Sequence, residues 1–334
     1  MKAIGLLSGG LDSTLAAKLV LEQGIELEAV NFLTLFCNCT NRGETCLASQ
    51  KAVESLGIPL KVFNVSQAYL DVVKHPKHGY GRNMNPCIDC RIFMLKKARD
   101  YMKEVGASFL VTGEVLGERP MSQRRDAMRL IEKEAGLEGF ILRPLSARLL
   151  PPSVPENEGW VDRERLLNIQ GRSRKPQIQL AVHFGIHDYP CPAGGCLLTD
   201  PGFAGRIRDL MRYCPEFELN DVHLLKVGRH FRLSPKAKLI TGRNEEENQK
   251  IHTFSREGDH LFNVARHPGP LSLLRGEPEA GEVEKAAAIT ARYGKAKELE
   301  KVEVVCRKGL NDSERLLAVS PASETEIEAW MIHE

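Results

Sequence analysis

Seven of the nine cysteines fall into groups tight enough to act together. They are Cys37, Cys39 and Cys46; Cys87 and Cys90, spaced as CxxC; and Cys191 and Cys196, which flank Pro192-Ala193-Gly194-Gly195. In a chain this long, such spacings point to metal binding or sulfur chemistry rather than to stapling disulfides. Cys214 and Cys306 stand apart and read as buried thiols. A second reactive stretch, Ser8-Gly9-Gly10-Leu11-Asp12-Ser13, follows the first apolar run. Glycines between a strand and a helix let backbone N–H groups approach an anion, and the helix N-terminus adds its dipole and unpaired donors. Ser8 and Ser13 add hydroxyl donors. Asp12 belongs at an anion site only if it holds Mg²⁺ or caps the helix, and a simple capped helix is the alternative reading.

The elements that must carry these groups alternate. Strand-like runs are expected over 2–7, 27–34, 60–65 and 109–112, with helices over 13–23, 45–56 and 91–105. Such alternation predicts an α/β fold with a parallel sheet, whose ligands bind beyond the carboxyl ends of the strands. A proline-rich connection covers 144–159, and helices are expected over 162–169 and 175–184. Beyond residue 200 the texture changes to short strands, 223–227, 238–241 and 301–305, with a helix over 282–293. The expected domains are 1–199 and a smaller α+β domain, 200–334.

SGGLDS resembles the SGGxDS PP-loop of the ATP pyrophosphatases, which cleave ATP between the α and β phosphates. The resemblance implies an adenine-nucleotide alpha-hydrolase-like sheet that binds MgATP through Ser8, Gly9, Gly10, Asp12 and Ser13. Asn31, Gly113 and Glu114 are further candidates for the nucleotide, although Glu114 also suits a helix N-terminal acid. The CxxC in Asn85-Pro86-Cys87-Ile88-Asp89-Cys90 sits before a helix, where thiolates are favoured; a zinc half-site or two inert thiols are the alternatives. With a later cysteine, it is similar to tRNA thiolases that hold a [4Fe–4S] cluster on three cysteines. The third is Cys196, freed by the preceding Gly-Gly, or else Cys191. Catalysis is thus assigned to Asp12, Cys87, Cys90 and Cys196, with a cysteine persulfide as the alternative to a cluster. Thr112-Gly113-Glu114 with Ser122-Gln123, and Arg143-Pro144-Leu145, resemble segments of 4-thiouridine synthases of the ThiI type. Counterparts of their ferredoxin-like, THUMP and rhodanese domains are not expected in these 334 residues, and the β-barrel of the MnmA-type 2-thiouridine synthases is not evident in them.

Gly228-Arg229-His230 and Gly242-Arg243-Asn244, with Asn248, resemble paired turns of the NFACT RNA-binding module. Arg229, His230, Arg232 and Arg243 are the implied RNA contacts, unless the arginines merely pair with Glu245–Glu247. Cys37, Cys39 and Cys46 suit zinc with His75 or His78, sulfur relay, or neither.

A net charge of +2 gives no global attraction to nucleic acid, so local clusters such as Arg119–Arg129 and Arg163–Lys175 must supply it. No signal-peptide or membrane-spanning pattern is visible, and a cytoplasmic location is expected. The expected activity is tRNA thiolation, favouring 4-thiouridine over 2-thiouridine, with sulfide or a cysteine desulfurase as sulfur donor. A non-thiolating ligase and a tRNA- or ribosome-binding adaptor are the other classes. The oligomeric state is not legible.

Overall fold

The computed structural model describes residues 1–37, 48–189, 196–309 and 313–333. They divide into two compact units, Met1–Thr199 and Asp200–Glu334. In the first, β1 (Lys2–Leu6) leads through the glycine turn to α1 (Leu11–Leu21). There follow β2 (Glu26–Leu33), α2 (Ala48–Leu56), β3 (Leu60–Asn64), α3 (Ser66–Lys74), α4 (Cys87–Glu104), β4 (Phe109–Thr112), α5 (Arg125–Ala135), β5 (Ile141–Leu142), α6 (Val154–Asn157) and α7 (Lys175–His183). The strands run in the order β3-β2-β1-β4-β5, every pair parallel. This is the parallel sheet that the alternating pattern predicts.

Alternation along the strands feeds two cores. Ala3, Ala29, Phe109 and Val111 pack with Leu15 and Val20 of α1 and Ala181 of α7. Ile4, Val30 and Leu110 pack on the opposite face with Ile92, Leu95 and Ala98 of α4 and Ile131 of α5. Each fully buried aliphatic or aromatic side chain contributes about 1.5–3 kcal/mol. Strand order reverses between β1 and β4, so the crevice at their carboxyl ends is the natural ligand position. The turn after β1 and Gly113-Glu114 after β4 both open there.

The expected helix over 162–169 is only a 3-10 turn, Arg163–Arg165. Asp162 caps it by accepting from the Glu164 N–H. The N–H groups of Leu167 and Ile169 then donate to the carbonyls of Pro144 and Leu145, a ladder that consumes the donors a helix would need. The proline-rich connection likewise holds a 3-10 turn, Ala147–Leu149, and the short α6, started by a Ser153/Glu156 capping box.

The second unit contains α8 (Pro201–Tyr213), α9 (Leu219–Leu225), β6 (Arg229–Ser234), β7 (Ala237–Thr241), α10 (Glu245–Thr253), β8 (His260–Val264), β9 (Ser272–Gly276), α11 (Ala280–Arg292), β10 (Val302–Lys308), β11 (Arg315–Val319) and α12 (Glu324–Trp330). Its six strands form an antiparallel sheet, β11-β10-β8-β9-β7-β6. Phe231, Leu239, Phe262, Leu274 and Val304 bury one face against Ala286, Ala287 and Ile289 of α11. The expected strand over 223–227 is largely helical instead, because Glu218 and Asp221 form a capping box that starts α9. Cys306 is buried as expected, whereas Cys214 is exposed. Among the described residues no helix is long and apolar enough to cross a membrane.

Two glycines make the crevice. Gly9 has φ +77°, and a Cβ there would meet the Ala48 carbonyl carbon at 2.4 Å. A Cβ on Gly113 would meet the Ser13 nitrogen at 2.4 Å, so the β4 loop lies backbone to backbone against the start of α1. We expect Gly113→Ala to lose about 1–3 kcal/mol in urea unfolding. Gly281→Ala, with nothing within 4 Å, should stay within about 1 kcal/mol of the parent or gain slightly. Equal midpoints for the two variants would contradict this assignment.

Candidate active site

The turn after β1 is held by weak contacts. The Ser8 N–H donates to Ser13 Oγ, and the Gly10 N–H to Ser8 Oγ, both at 3.3 Å. The hydroxyls of Ser8 and Ser13 are also 3.3 Å apart. Good N–H···O bonds lie nearer 2.9 Å, so these donors exchange their partners for an anion at small cost. The stronger bonds, Ser13 Oγ and Thr14 Oγ1 to the Gly10 carbonyl at 2.9 and 3.1 Å, secure the first turn of α1. No side-chain hydrogen bond caps that helix, so Asp12 is not spent as its N-cap.

Asp12 instead lies among groups from elsewhere in the unit. Burial raises its pKa, with the Arg174 guanidinium 3.7 Å away pulling against that rise. Asp12 Oδ1 and Arg174 Nε are buried without hydrogen-bond partners. The wholly buried Gln177 lies close enough to favour the Asp12 carboxylate, although neither of its polar atoms makes a bond of normal geometry. Burial and the Asp12 charge raise the pKa of Glu118, and Arg119 offsets part of that rise. Buried polar atoms without partners are rare and point to an absent one. Nothing in the sequence marks Gln177 or Glu118; Arg174 stands out only as part of a basic run.

The expected nucleotide contacts Asn31 and Glu114 have structural engagements. Asn31 Nδ2 donates to the Leu7 carbonyl at 2.7 Å, tying β2 to the end of β1. Glu114 is 1% exposed. Its Oε1 accepts from Arg91 Nε at 3.0 Å, and its Oε2 from Arg143 Nε at 2.9 Å and Thr112 Oγ1 at 3.2 Å. Burial alone would raise its pKa, but Arg91 and Arg143 overrule it and bring the carboxyl to about 2. Arg143 also pairs with Glu132. Of the other matched residues, Ser122 and Gln123 are buried, and Gln123 Oε1 accepts from the Arg119 N–H at 2.9 Å.

Arg91 follows Cys90 directly, so this network anchors the helix that bears the CxxC. Cys87 and Cys90 occupy the first turn of α4. Contrary to the expected thiolates, burial pushes Cys87 up, and it pushes Cys90 up to about 11 despite a Tyr69 hydrogen bond and the Arg91 charge. Burial also raises the Cys196 thiol far above its usual range. Cys90 senses Cys87 and Cys37, and Cys196 senses all three, so four sulfurs from three segments share one environment. Spacing alone did not single out Cys37 for this group. Cys39, Cys46 and Cys191 lie outside the described residues. Of the two candidate zinc histidines, His78 has its Nε2 3.1 Å from Glu134.

The donors suit two groups differently. The orphaned, desolvated Asp12 oxygen fits a divalent cation that arrives with phosphates, since Mg²⁺ is commonly held by one or two carboxylates plus the substrate. Cys87, Cys90 and Cys196 are the right donors for an iron–sulfur cluster. Among the described residues, however, no three His, Cys, Asp or Glu side chains are arranged to hold a metal ion. The thiols fit a cluster in kind and not in arrangement.

In the second unit, His230 is 3% exposed and its Nε2 lies 2.9 Å from the Val227 carbonyl. Its ring is therefore not a surface platform for a base, which corrects the expectation from the sequence. Arg232 makes a two-pronged pair with Asp209 at 2.9 and 2.7 Å. Arg229 lies over the Tyr293 ring, its guanidinium carbon 4.4 Å from the centroid. Arg243 pairs with Glu247 while remaining half exposed. The paired turns have an architectural use: Asn244 caps α10, Glu247 accepts from the Arg243 N–H, and Asn248 Oδ1 accepts from the Leu271 N–H.

The low Glu114 pKa carries a sign. Its folded value lies below the ordinary 4.5, so its contribution is fully present above pH 4.5 and is lost as pH falls toward 2. We expect Glu114→Gln to cost about 3–5 kcal/mol at neutral pH, because it leaves the buried Arg143 guanidinium with Glu132 alone and removes the carboxylate that answers the partly exposed Arg91. The urea midpoint of the parent should fall between pH 5 and 3 more steeply than that of the variant. Parallel slopes would refute the assignment.

Residues 1–148 match the family model described as thiamine biosynthesis protein (ThiI), and residues 228–331 match the NFACT protein RNA binding domain. The tRNA-specific 2-thiouridylase MnmA of Coxiella burnetii (strain RSA 493 / Nine Mile phase I) is 37% identical over 119 residues, 33% of each chain. The probable tRNA sulfurtransferase of Lysinibacillus sphaericus (strain C3-41) is 29% identical over 144 residues, 43% of this chain and 34% of that protein. The chain thus spans about a third of the length of these curated relatives. A crystal structure of a 4-thiouridine synthetase–RNA complex with bound ATP covers 59% of this chain and 46% of its own at 21% identity, with a TM-score of 0.37. The chain therefore joins a segment similar to the ThiI family, residues 1–148, to one similar to the RNA-binding domain of NFACT proteins, residues 228–331.

Proposed function

We propose that this chain is an ATP-dependent tRNA sulfurtransferase that converts a uridine carbonyl to a thiocarbonyl, with 4-thiouridine as its product. The observation that carries the reading is the pairing, within one unit, of a loosely bonded glycine turn beside a carboxylate with one unpartnered oxygen and a set of partly exposed cysteines whose desolvated thiols lie within electrostatic reach of one another. Replacing a carbonyl oxygen by sulfur needs both parts. The oxygen must become a leaving group, and a sulfur nucleophile must then attack.

The N–H groups of Ser8 and Gly10 and the hydroxyls of Ser8 and Ser13 bind the ATP phosphates. Asp12 and Glu118 would hold Mg²⁺, which would supply charge neutralisation for pyrophosphate. Arg174 and Arg119 add positive charge beside the same phosphates. The uridine carbonyl oxygen attacks the α-phosphorus, and the bond to the β-phosphate oxygen breaks to release pyrophosphate. A sulfur nucleophile then adds to the adenylated carbon, and AMP leaves with the former carbonyl oxygen. Hydrosulfide adds directly at the carbon held beside Cys87, Cys90 and Cys196; where a cysteine desulfurase supplies the sulfur, one of these cysteines carries it as a persulfide, and after the outer sulfur has bonded to the carbon a second cysteine attacks the inner sulfur, closing a disulfide that an external thiol reduces. A [4Fe–4S] cluster is the finer assignment for these three residues and requires them to draw closer together. The choice of 4-thiouridine is supported by the ThiI match over 1–148 and by the Thr112–Glu114 and Ser122-Gln123 segments. The NFACT-like segment supports tRNA as the partner, with Arg229 and Arg243 the retained candidates for phosphate contact. A cytoplasmic location suits that partner.

The test is anaerobic incubation with unmodified tRNA, MgATP and sulfide after iron–sulfide reconstitution, followed by nucleoside mass spectrometry. A 4-thiouridine peak that requires ATP and disappears in Cys87→Ser supports the reading, and a 2-thiouridine peak corrects the position. No thiolated nucleoside from protein that binds ATP overturns it. Asp12→Ala is expected to lower pyrophosphate release by at least about a hundredfold, the scale of losing one electrostatic stabiliser, while filter-bound tRNA is unchanged. Parallel loss of tRNA binding would show that Asp12 acts on the fold instead.

A further inference from the structure

We propose that Cys37 and Cys196 form a reversible disulfide, making the cysteine site a redox-controlled one. The two residues pair across an isolated antiparallel β-bridge, although 158 residues separate them. The type of bridge matters. The Leu197 N–H donates to the Phe36 carbonyl at 2.9 Å, one residue outside the pair on each strand. That pattern makes Cys37 and Cys196 a pair that does not hydrogen-bond to itself, the closer of the two antiparallel spacings. Such pairs hold their Cα atoms about 4.5 Å apart, with Cβ atoms roughly 4.5–5.5 Å apart or less. A disulfide needs Cα separations of ~4.4–6.8 Å and Cβ separations of ~3.5–4.5 Å, so the Cα spacing stands within range and the Cβ atoms need approach by about 1 Å at most.

The surroundings agree. Both cysteines are of intermediate exposure, and the Cys196 thiol is desolvated. Thr34 Oγ1 lies 3.3 Å from the Cys37 sulfur. Cys87 and Cys90, three residues apart in one helical turn, have no such cross-strand geometry.

The exchange balances with a small-molecule disulfide such as oxidised glutathione as oxidant. One thiolate of the pair attacks a glutathione sulfur, breaking its S–S bond and releasing one glutathione thiolate. The second thiolate attacks the mixed disulfide and releases the other. Two cysteine thiols are oxidised, one glutathione disulfide is reduced, and the two protons pass to solvent. The closed bond removes Cys196 from the sulfur-handling set, so oxidation halts thiolation. That last consequence rests on the proposed function; the disulfide does not.

The full chain is equilibrated in graded mixtures of reduced and oxidised glutathione, quenched with iodoacetamide and digested without reductant. Mass spectrometry is expected to find a Cys37–Cys196 peptide as the dominant cross-link, with joint loss of labelling at both cysteines. Dithiothreitol should reverse it, and Cys37→Ser should abolish it while leaving Cys196 fully labelled. Cross-linking of Cys196 chiefly to Cys87, Cys90 or Cys191, or a persistent mixed disulfide with glutathione, would overturn the proposal. Thiolation is measured on the same samples. Cross-linked protein whose reduced form thiolates no tRNA would sustain the disulfide and refute the proposed function; loss on oxidation with recovery in dithiothreitol supports both.

Discussion

A carboxylate that is 1% exposed cannot stay ionised unless its charge is answered, and Glu114 is answered from two sides by Arg91 and Arg143. The geometry of the first unit depends on that arrangement. Arg91 belongs to the helix that starts with Cys87 and Cys90, Arg143 follows β5, and Glu114 lies two residues beyond β4. One buried ion cluster therefore sets the cysteine-bearing helix against the central strands. Immediately before Glu114, Gly113 rests its backbone on the Asp12–Ser13 peptide, so the same loop also sets the glycine turn. The glycine turn and the cysteine-bearing helix are thus registered to each other through two consecutive residues.

The two halves of the site are poised differently. The glycine turn is underbonded: its donors make long contacts with one another, and a carboxylate oxygen, an arginine nitrogen and a glutamine amide beside it are left unmatched. An anionic ligand with its cation would resolve those deficits together, which is how a site favours its ligand over water. The cysteines are overburied. Desolvation keeps their protons on, in opposition to the helix terminus and to Arg91 and Arg119. A thiol held this way is unreactive until a metal, a persulfide or a redox partner changes its state.

In the second unit the motif residues are mostly architectural. Asn244, Glu247 and Asn248 cap α10 and join neighbouring turns, while His230 and Lys238 are buried beneath them. Asp209 answers both Arg232 and Lys238. A turn motif can therefore mark a family of RNA-binding domains without each of its polar residues touching RNA.

Local patterns determined a good deal by themselves. The strand–glycine–helix start, the alternation that makes β1 to β4 parallel, and the α11 and β7 segments were legible because apolar periodicity and turn chemistry act over a few residues; the helix expected over 91–105 starts four residues earlier and takes the CxxC into its first turn. Where a competing short-range bond won, the pattern misled: the Glu218/Asp221 box made a helix of 219–225, and the ladder to Pro144 and Leu145 prevented one beyond Arg165. Long-range matters were decided only by tertiary structure. Nothing local shows that Gln177 and Arg174 reach Asp12, that Glu114 is spent on two arginines, or that His230 is buried. The pairing of Cys37 with Cys196 across 158 residues is of the same kind. Chain proximity fixes which groups are available, whereas packing and the need to match buried charge decide which of them meet.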